Sequence, residues 1–411
     1  MRRETVPGDG VLLRPYRESD AADLASACAD PVTLRFVTGM PEPYTPADAH
    51  WWIGTGAPAA WAGGGAAYAI VDPATDRLLG GMGLGQVVPE RAQAEIGYWV
   101  APWARGRGVA TAAVRTLTGY AFDSGLERLE LLTDWANEAS QRVALAAGFQ
   151  REGVRRRAAR SRDGGRVDLV AWVRLADDPP GPAPRLLPDL PNLPKPDLPD
   201  LPNLPTVPAR PTETTAGAGP TETSAGAGPT ETGRRRGWLT DGVIGLRRLG
   251  PTDVDFFHEL QNQPDVMATN VPPGPADRAK IVTRCDRAAA RWLAGEQADL
   301  VLVDVASGRP AGAVALYYEQ PALREAMVAY SLLPAWRGRG YPTRAVRLLA
   351  GWAFREAGIA RLFGGTLPTN VASQRVLEKA GFRREGVLRG QLPGRAGTRA
   401  DDVVFGLLPT D

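Results

Sequence analysis

Apolar residues alternate with polar or small ones in AEIGYWV (94–100) and crowd together in AAYAIVD (66–72), and both runs read as strands. VLLRPYR (11–17), RLLGGMGLGQVV (77–88) and RLELLTD (128–134) read the same way, with a turn around Pro73–Asp76. Helical spacing takes over in VATAAVRTLTGYAFDSG (109–125), which Gly125 ends, and in NEASQRVALAAG (137–148), with Asn137 as cap and Gly148 as stop. Ser19-Asp20 caps an earlier helix through Ala27. A hairpin closes the stretch, GFQREGVRRR returning as RVDLVAWVRL through a turn at RDGG (162–165). A strand–helix–strand–helix run ending in a hairpin predicts an α/β sheet with helices on both faces.

The same pattern then comes round again. LRPYRESDAADL (13–24) returns weakly as LRRLGPTDVDFF (246–257), and NEASQRVALAAGFQREGV (137–154) strongly as NVASQRVLEKAGFRREGV (370–387). So long a period means a duplicated domain and not a solenoid. The copies occupy residues 1–177 and 237–411. Between them, 178–236 changes composition: LLPDLPNLPKPDLPDLPNLP favours polyproline II, and the near-identical PTETTAGAG and PTETSAGAG repeats read as flexible and disordered. Leu187, Leu190 and Leu193 recur at the three-residue period of that helix, which is either a docking strip or chance in a solvated spacer.

Composition narrows the function classes. With 44% hydrophobic and 23% charged residues the chain is of ordinary globular type. Its net charge of +2 gives no global pull toward nucleic acid or acidic membranes. Cys28 and Cys285 cannot build a disulfide framework or a CxxC site, so no metal is expected and a reducing cytoplasm is the simplest compartment. No apolar run approaches a membrane span, and MRRETVPGDG lacks a signal-peptide core.

The candidate chemistry sits in Arg105-Gly106-Arg107-Gly108-Val109-Ala110, between a strand and a helix. Glycines there let an anion approach unpaired backbone N–H groups at the positive end of a helix dipole, and the arginines add charge at the rim. Neither the P-loop pattern nor GxGxxG is present. Trp336 to Thr343, WRGRGYPT, repeats the loop.

AEIGYWVAPWARGRGVATAAVRTLTGYAF followed by NEASQRVALAAGFQREGV resembles the GNAT N-acetyltransferases, and within them the branch holding the RimJ/RimL ribosomal-protein acetyltransferases. The motif Q/R-x-x-G-x-G/A matches residues 105–110, and N-x-x-S matches Asn137 to Ser140. The resemblance implies two domains, each a mixed, mostly antiparallel sheet with helices on both faces. It implies acetyl-CoA as co-substrate, its pyrophosphate on the amides of residues 105–110 and Thr111, and its pantetheine between two splayed strands. Trp99 and Val100 would lie along that arm, and Asn137 would bond it, act as a helix cap, or do both. In the second copy Leu332, Arg337, Gly338, Arg339, Gly340, Tyr341, Thr343 and Asn370 take these places.

Acetyl transfer to an amine also needs a base and a proton for the departing thiolate. Glu95, in an otherwise apolar strand, is the candidate base, the alternative being a solvent-facing residue. The tyrosine acid of many GNAT enzymes is replaced by Ala144 and Leu377. The resemblance therefore implies Ser140 and Ser373, directly or through water, the alternative being plain helix-surface hydroxyls. Met327 stands opposite Glu95 in the second copy, and Pro342 stands where Ala110 does. Glu325 or Glu319 are the acids at hand to replace Glu95.

The resemblance implies a primary amine as acceptor, on a protein N-terminus or a small molecule, and the residues themselves do not say which. Trp51, Trp52 and Trp61 either line its pocket or pack the core. The rival reading is an acetyl-CoA-binding sensor or scaffold in which the second copy regulates. The linker permits, without requiring, an intramolecular pseudo-dimer of the two copies.

Overall fold

A computed structural model describes residues 2–191, 237–394 and 397–411, the Glu319 side chain excepted. The chain divides into two compact units, one ending at Arg185 and the other starting at Leu186.

In the first unit the order is β1 (Val6–Gly8), β2 (Val11–Arg14), α1 (Ala21–Cys28), α2 (Pro31–Phe36), α3 (Pro46–Trp51), α4 (Ala57–Ala62), β3 (Ala66–Val71) and β4 (Leu78–Val88). Then come β5 (Gln93–Val100), α5 (Val109–Asp123), β6 (Arg128–Asp134), α6 (Glu138–Ala146), β7 (Gln150–Arg160) and β8 (Arg166–Leu175). The strands form one eight-stranded sheet ordered β1-β2-β3-β4-β5-β6-β8-β7. Every pairing is antiparallel except β5 with β6. α5 supplies the crossover that a parallel pair requires. It buries Val109, Ala113, Val114, Leu117 and Ala121, one stripe at helical spacing. The opposite face is covered by α1, α3 and α4 around Leu24, Cys28, Ala49 and Ile53.

The second unit repeats the plan: β9 (Leu239–Thr240), β10 (Ile244–Arg248), α7 (Val254–Gln261), α8 (Pro264–Thr269), α9 (Arg278–Leu293), β11 (Gln297–Asp304) and β12 (Pro310–Gln320). β13 (Glu325–Leu332), α10 (Tyr341–Arg355), β14 (Arg361–Thr366), α11 (Val371–Ala380), β15 (Arg383–Pro393) and β16 (Arg399–Leu407) complete it. Its eight strands run β9-β10-β11-β12-β13-β14-β16-β15, with β13 and β14 parallel. One long amphipathic helix, α9, stands where the first unit has α3, a π-turn over Trp52–Gly56 and α4.

The change of composition at 178 does not mark the end of packing. The Ala183 amide bonds the Leu145 carbonyl in the first unit. Leu187 and Leu190 are buried in the core of the second, where the Trp292 indole donates to the Pro188 carbonyl at 3.0 Å. These two leucines are therefore core residues of a strap, because their three-residue spacing sets both on the same side. Leu193 and the rest of the Pro-rich and PTET segment, 192–236, lie outside the described residues.

Cys28 and Cys285 are both free and buried. Among the described residues no helix is long and apolar enough to cross a membrane, and no cluster of acidic, histidine and cysteine side chains is placed to hold a metal.

Candidate active site

The parallel pairing of β5 and β6 is short. It joins Gln93 to Arg128, Ala94 to Leu129 and Glu95 to Glu130, and then stops. From Ile96 to Val100 the strand has β4 on one side and no strand on the other, so a row of peptide groups faces an opening. β13 and β14 part in the same way after Met327 and Phe363. An extended amide-bearing chain such as a pantetheine arm fits such a cleft, since it can complete the pairing the sheet abandons.

At the mouth of each cleft lies the glycine loop. Gly106 and Gly108 have φ of +73° and +81°, and Gly338 and Gly340 +74° and +75°. That left-handed backbone suits glycine. A Cβ added at any of the four would meet nothing within 4 Å in the protein, so the glycines keep space open rather than relieve a packing clash. Gly108 and Gly340 are the N-caps of α5 and α10, and neither helix has a side-chain cap. The first amides of each helix, at Val109, Ala110 and Thr111 or at Tyr341 and Thr343, are left without intrahelical partners. Pro342 contributes none. The loop thus meets the requirements of an anion seat.

The arginines behave differently from free rim charges. Arg105 sends Nη2 to Asp30 Oδ2 at 2.5 Å and to Thr33 Oγ1 at 2.8 Å, and Nε to the Val100 carbonyl at 3.2 Å. Arg337 likewise holds Asp265 Oδ1 at 2.9 Å and the Leu332 carbonyl at 3.0 Å. Each ties the loop to the short helix α2 or α8, while its own peptide amide donates to the carbonyl of Pro102 or Pro334. Arg107 is exposed, and Arg339 lies over the Trp336 ring at 5.0 Å. Two other side chains are taken up by packing. Tyr341 is buried, its hydroxyl on Asp304 and its ring stacked on Trp336. Trp99 packs among α1, α3 and α4 over Gly81, whose missing Cβ makes room for it. Trp52 and Trp61 join that same core while Trp51 is exposed.

Strand alternation puts Glu95 on the face of Trp99, beside Glu130. Glu130 is almost fully buried and held by Arg128 at 2.9 Å and Arg155 at 2.5 Å. Glu95 is half-buried. Burial pushes its carboxyl above the ordinary glutamate range, the Arg155 cation opposes this, and the Glu130 charge adds to it. In the second copy the same three positions are Met327, Phe363 and Leu388, so carboxylate, carboxylate and cation are lost together. Glu325 is ion-paired with Arg361, and the Glu319 side chain lies outside the described residues.

Ser140 and Ser373 have a partner that sequence reasoning missed. The Tyr98 hydroxyl lies 2.8 Å from Ser140 Oγ, and the Tyr330 hydroxyl 2.8 Å from Ser373 Oγ. Asn137 and Asn370 accept the amide hydrogens of these serines at 3.1 and 3.2 Å, capping α6 and α11. Burial holds both tyrosines protonated well above their ordinary pKa, with the serine contact pulling the other way. Ala144 and Leu377 are core residues with no room for a phenol. The phenol thus comes from the strand and not from the helix. The signal was the alternation itself, which sets Tyr98 on the face opposite Glu95.

The family described as "Acetyltransferase (GNAT) domain" matches residues 11–150 and 244–383. YjcK of Bacillus subtilis (strain 168), described as a probable N-acetyltransferase, is 47% identical over 68 residues, 16% of this chain and 38% of its own. YoaA of the same strain, an uncharacterized N-acetyltransferase, is 36% identical over 83 residues, 20% of this chain and 47% of its own. The chain thus spans less than half the length of these curated relatives. The structure of Mycobacterium smegmatis RimJ in complex with CoA-disulfide is 22% identical, covering 41% of this chain and 82% of that one, with a TM-score of 0.37. With the family's match extending over both glycine loops and both parted strand pairs, the chain belongs to the GNAT acetyltransferase family and carries its domain twice.

Proposed function

We propose that the protein is an acetyl-CoA-dependent N-acetyltransferase acting on a primary amine, a protein N-terminus or a small molecule, with the first copy carrying the chemistry through Glu95. The observation that carries this reading is Glu95 itself, a half-buried carboxyl with raised pKa at the last paired position before the strands part. The amides of residues 106–111 seat the pyrophosphate of acetyl-CoA, the Arg105 amide being spent on the Pro102 carbonyl, and the free edge of Ile96–Val100 lies along pantetheine. Glu95 takes a proton from the acceptor ammonium, whose nitrogen attacks the thioester carbonyl. As the C–S bond breaks, the second surplus N–H proton leaves to solvent, and the departing thiolate receives its proton from Ser140, resupplied by Tyr98, which solvent restores. A serine alone is a weak acid, and a phenol within 2.8 Å makes the relay chemically reasonable. The two buried free cysteines suit a reducing cytoplasm.

The sensor reading has one specific observation in its favour, the joint loss of polar groups at Met327, Phe363 and Leu388. Calorimetric titration of acetyl-CoA into the full chain, with thiol release in the presence of primary amines, tests both. Two sites per chain with turnover support the enzyme. Binding without turnover supports the sensor, and no binding removes both. Within the enzyme reading, Tyr98→Phe should lower kcat about 100-fold, the low end for one acid–base group, with the KM for acetyl-CoA nearly unchanged. A KM effect alone would make Tyr98 a packing residue.

A further inference from the structure

The second copy has lost the carboxylates of the first at the strand apex, yet it has gained another close by. Leu132 and Leu169 of the first copy correspond to Gly365 and Asp402. Asp402 is only 9% exposed, and its Oδ1 has no hydrogen-bond partner among the described residues. A Cβ built on Gly365 would lie 2.5 Å from Asp402 Oδ2, so the carboxylate occupies the space a side chain would need. The exchange is paired: a leucine became glycine where its neighbour became an acid.

Placement follows from the strand pleat. On β14, Leu362, Gly364 and Thr366 are buried, while Phe363 and Gly365 face the other way. Asp402 therefore shares the face of Phe363 and of Met327, and its carboxylate lies over Gly365, two residues beyond the point where β13 and β14 part. Leu388, paired with Asp402 across β15 and β16, replaces the arginine that would have neutralised it. Burial lifts its pKa above the ordinary 3.8, opposed by the Thr366 amide. A buried carboxyl without a full set of partners is costly to keep.

We propose that Asp402 is the amine-facing carboxylate of the second copy, holding the acceptor ammonium and taking its proton at the parted strands. This rests on the acetyltransferase reading above. The acceptor enters as an ammonium and gives one proton to Asp402. Its nitrogen forms a bond to the acetyl carbonyl carbon as the C–S bond breaks. The remaining surplus N–H proton leaves to solvent, and the thiolate takes one proton from Ser373, which Tyr330 resupplies and solvent restores in turn. Amide, free thiol and protonated Asp402 result, and the last proton returns to solvent.

The test uses the full chain with acetyl-CoA and two probe amines, spermidine and a short peptide with a free N-terminus. In a Glu95→Gln background, the thiol release lost on adding Gly340→Val reports the second copy. Adding Asp402→Asn should cut it at least 100-fold while acetyl-CoA stoichiometry is unchanged. Gly365→Leu with Asp402→Leu rebuilds the leucine pair of the first copy, and should fold and lose the same activity. Equal turnover with and without Asp402→Asn overturns the assignment, as does a Glu95→Gln chain at the uncatalysed rate while still binding two acetyl-CoA. If the unmodified chain releases no thiol, it is the acetyltransferase reading that has failed.

Discussion

Glu95→Gln should lower the first copy's turnover at pH 7 by about 10²–10³-fold, the lower part of the range for removing a general base, and leave acetyl-CoA affinity nearly intact. The measurement is made in a chain carrying Gly340→Val, so that only the first cofactor seat counts. Glu95 is half-buried at the apex of the parted strands, whereas the glycine loop lies at the far end of β5, past Val100. A base and an anion seat separated by a strand length should fail independently. Unchanged turnover would remove Glu95 as base, and loss of cofactor binding would make it structural.

The pH dependence gives a second reading of the same group. Burial raises the Glu95 pKa above its ordinary 4.5, so the acidic limb of kcat/KM should lie above that of a free glutamate and vanish in the glutamine variant. Stability carries the opposite sign. A carboxyl whose folded pKa is raised favours the folded state below its unfolded pKa and loses that contribution as pH rises through the folded one. Glu95→Gln should therefore raise Tm at pH 7, with the gain closing as the pH falls toward 4.5. A Tm lowered at pH 7 would show that Glu95 makes stabilising contacts that outweigh its burial.

The strands, the crossover helix and the duplication were legible because each has a period: two, about 3.6, and the distance between copies. Gly106, Gly108 and Asn137 were legible because local backbone chemistry demands them, a left-handed φ or a helix cap. What the sequence hid were pairings across elements. Tyr98 meets Ser140 only once β5 lies beside α6, and neither residue signals the other along the chain. Arg105 looked like an anion's partner but spends its guanidinium on Asp30 and Thr33, far away in sequence. The strap at Leu187 and Leu190 was masked by proline, whose composition reports backbone preference and not burial. Nothing along the chain links Asp402 to Gly365, which makes room for its carboxylate only across the sheet.

Gly108→Val should abolish the acetyl-CoA site proposed at the first glycine loop. At a φ of +81° a β-branched residue is strained by roughly 1–2 kcal/mol, enough to turn the peptide and withdraw its amide from the loop. Its Cβ would meet nothing within 4 Å of protein, so the added side chain projects into the space the phosphates need and not into the core. Tm should fall by only a few degrees while calorimetric stoichiometry drops from two to one. Gly340→Val should remove the other site, and the double variant both. Pro342 sharpens the comparison. It costs the second seat one N–H, so the site that survives Gly108→Val should be the weaker of the two. A chain that keeps both sites with valine at 108 and 340 would show that the loop is a turn and the pyrophosphate sits elsewhere. Equal affinities at the two seats would show instead that the amide missing at Pro342 never faced the anion.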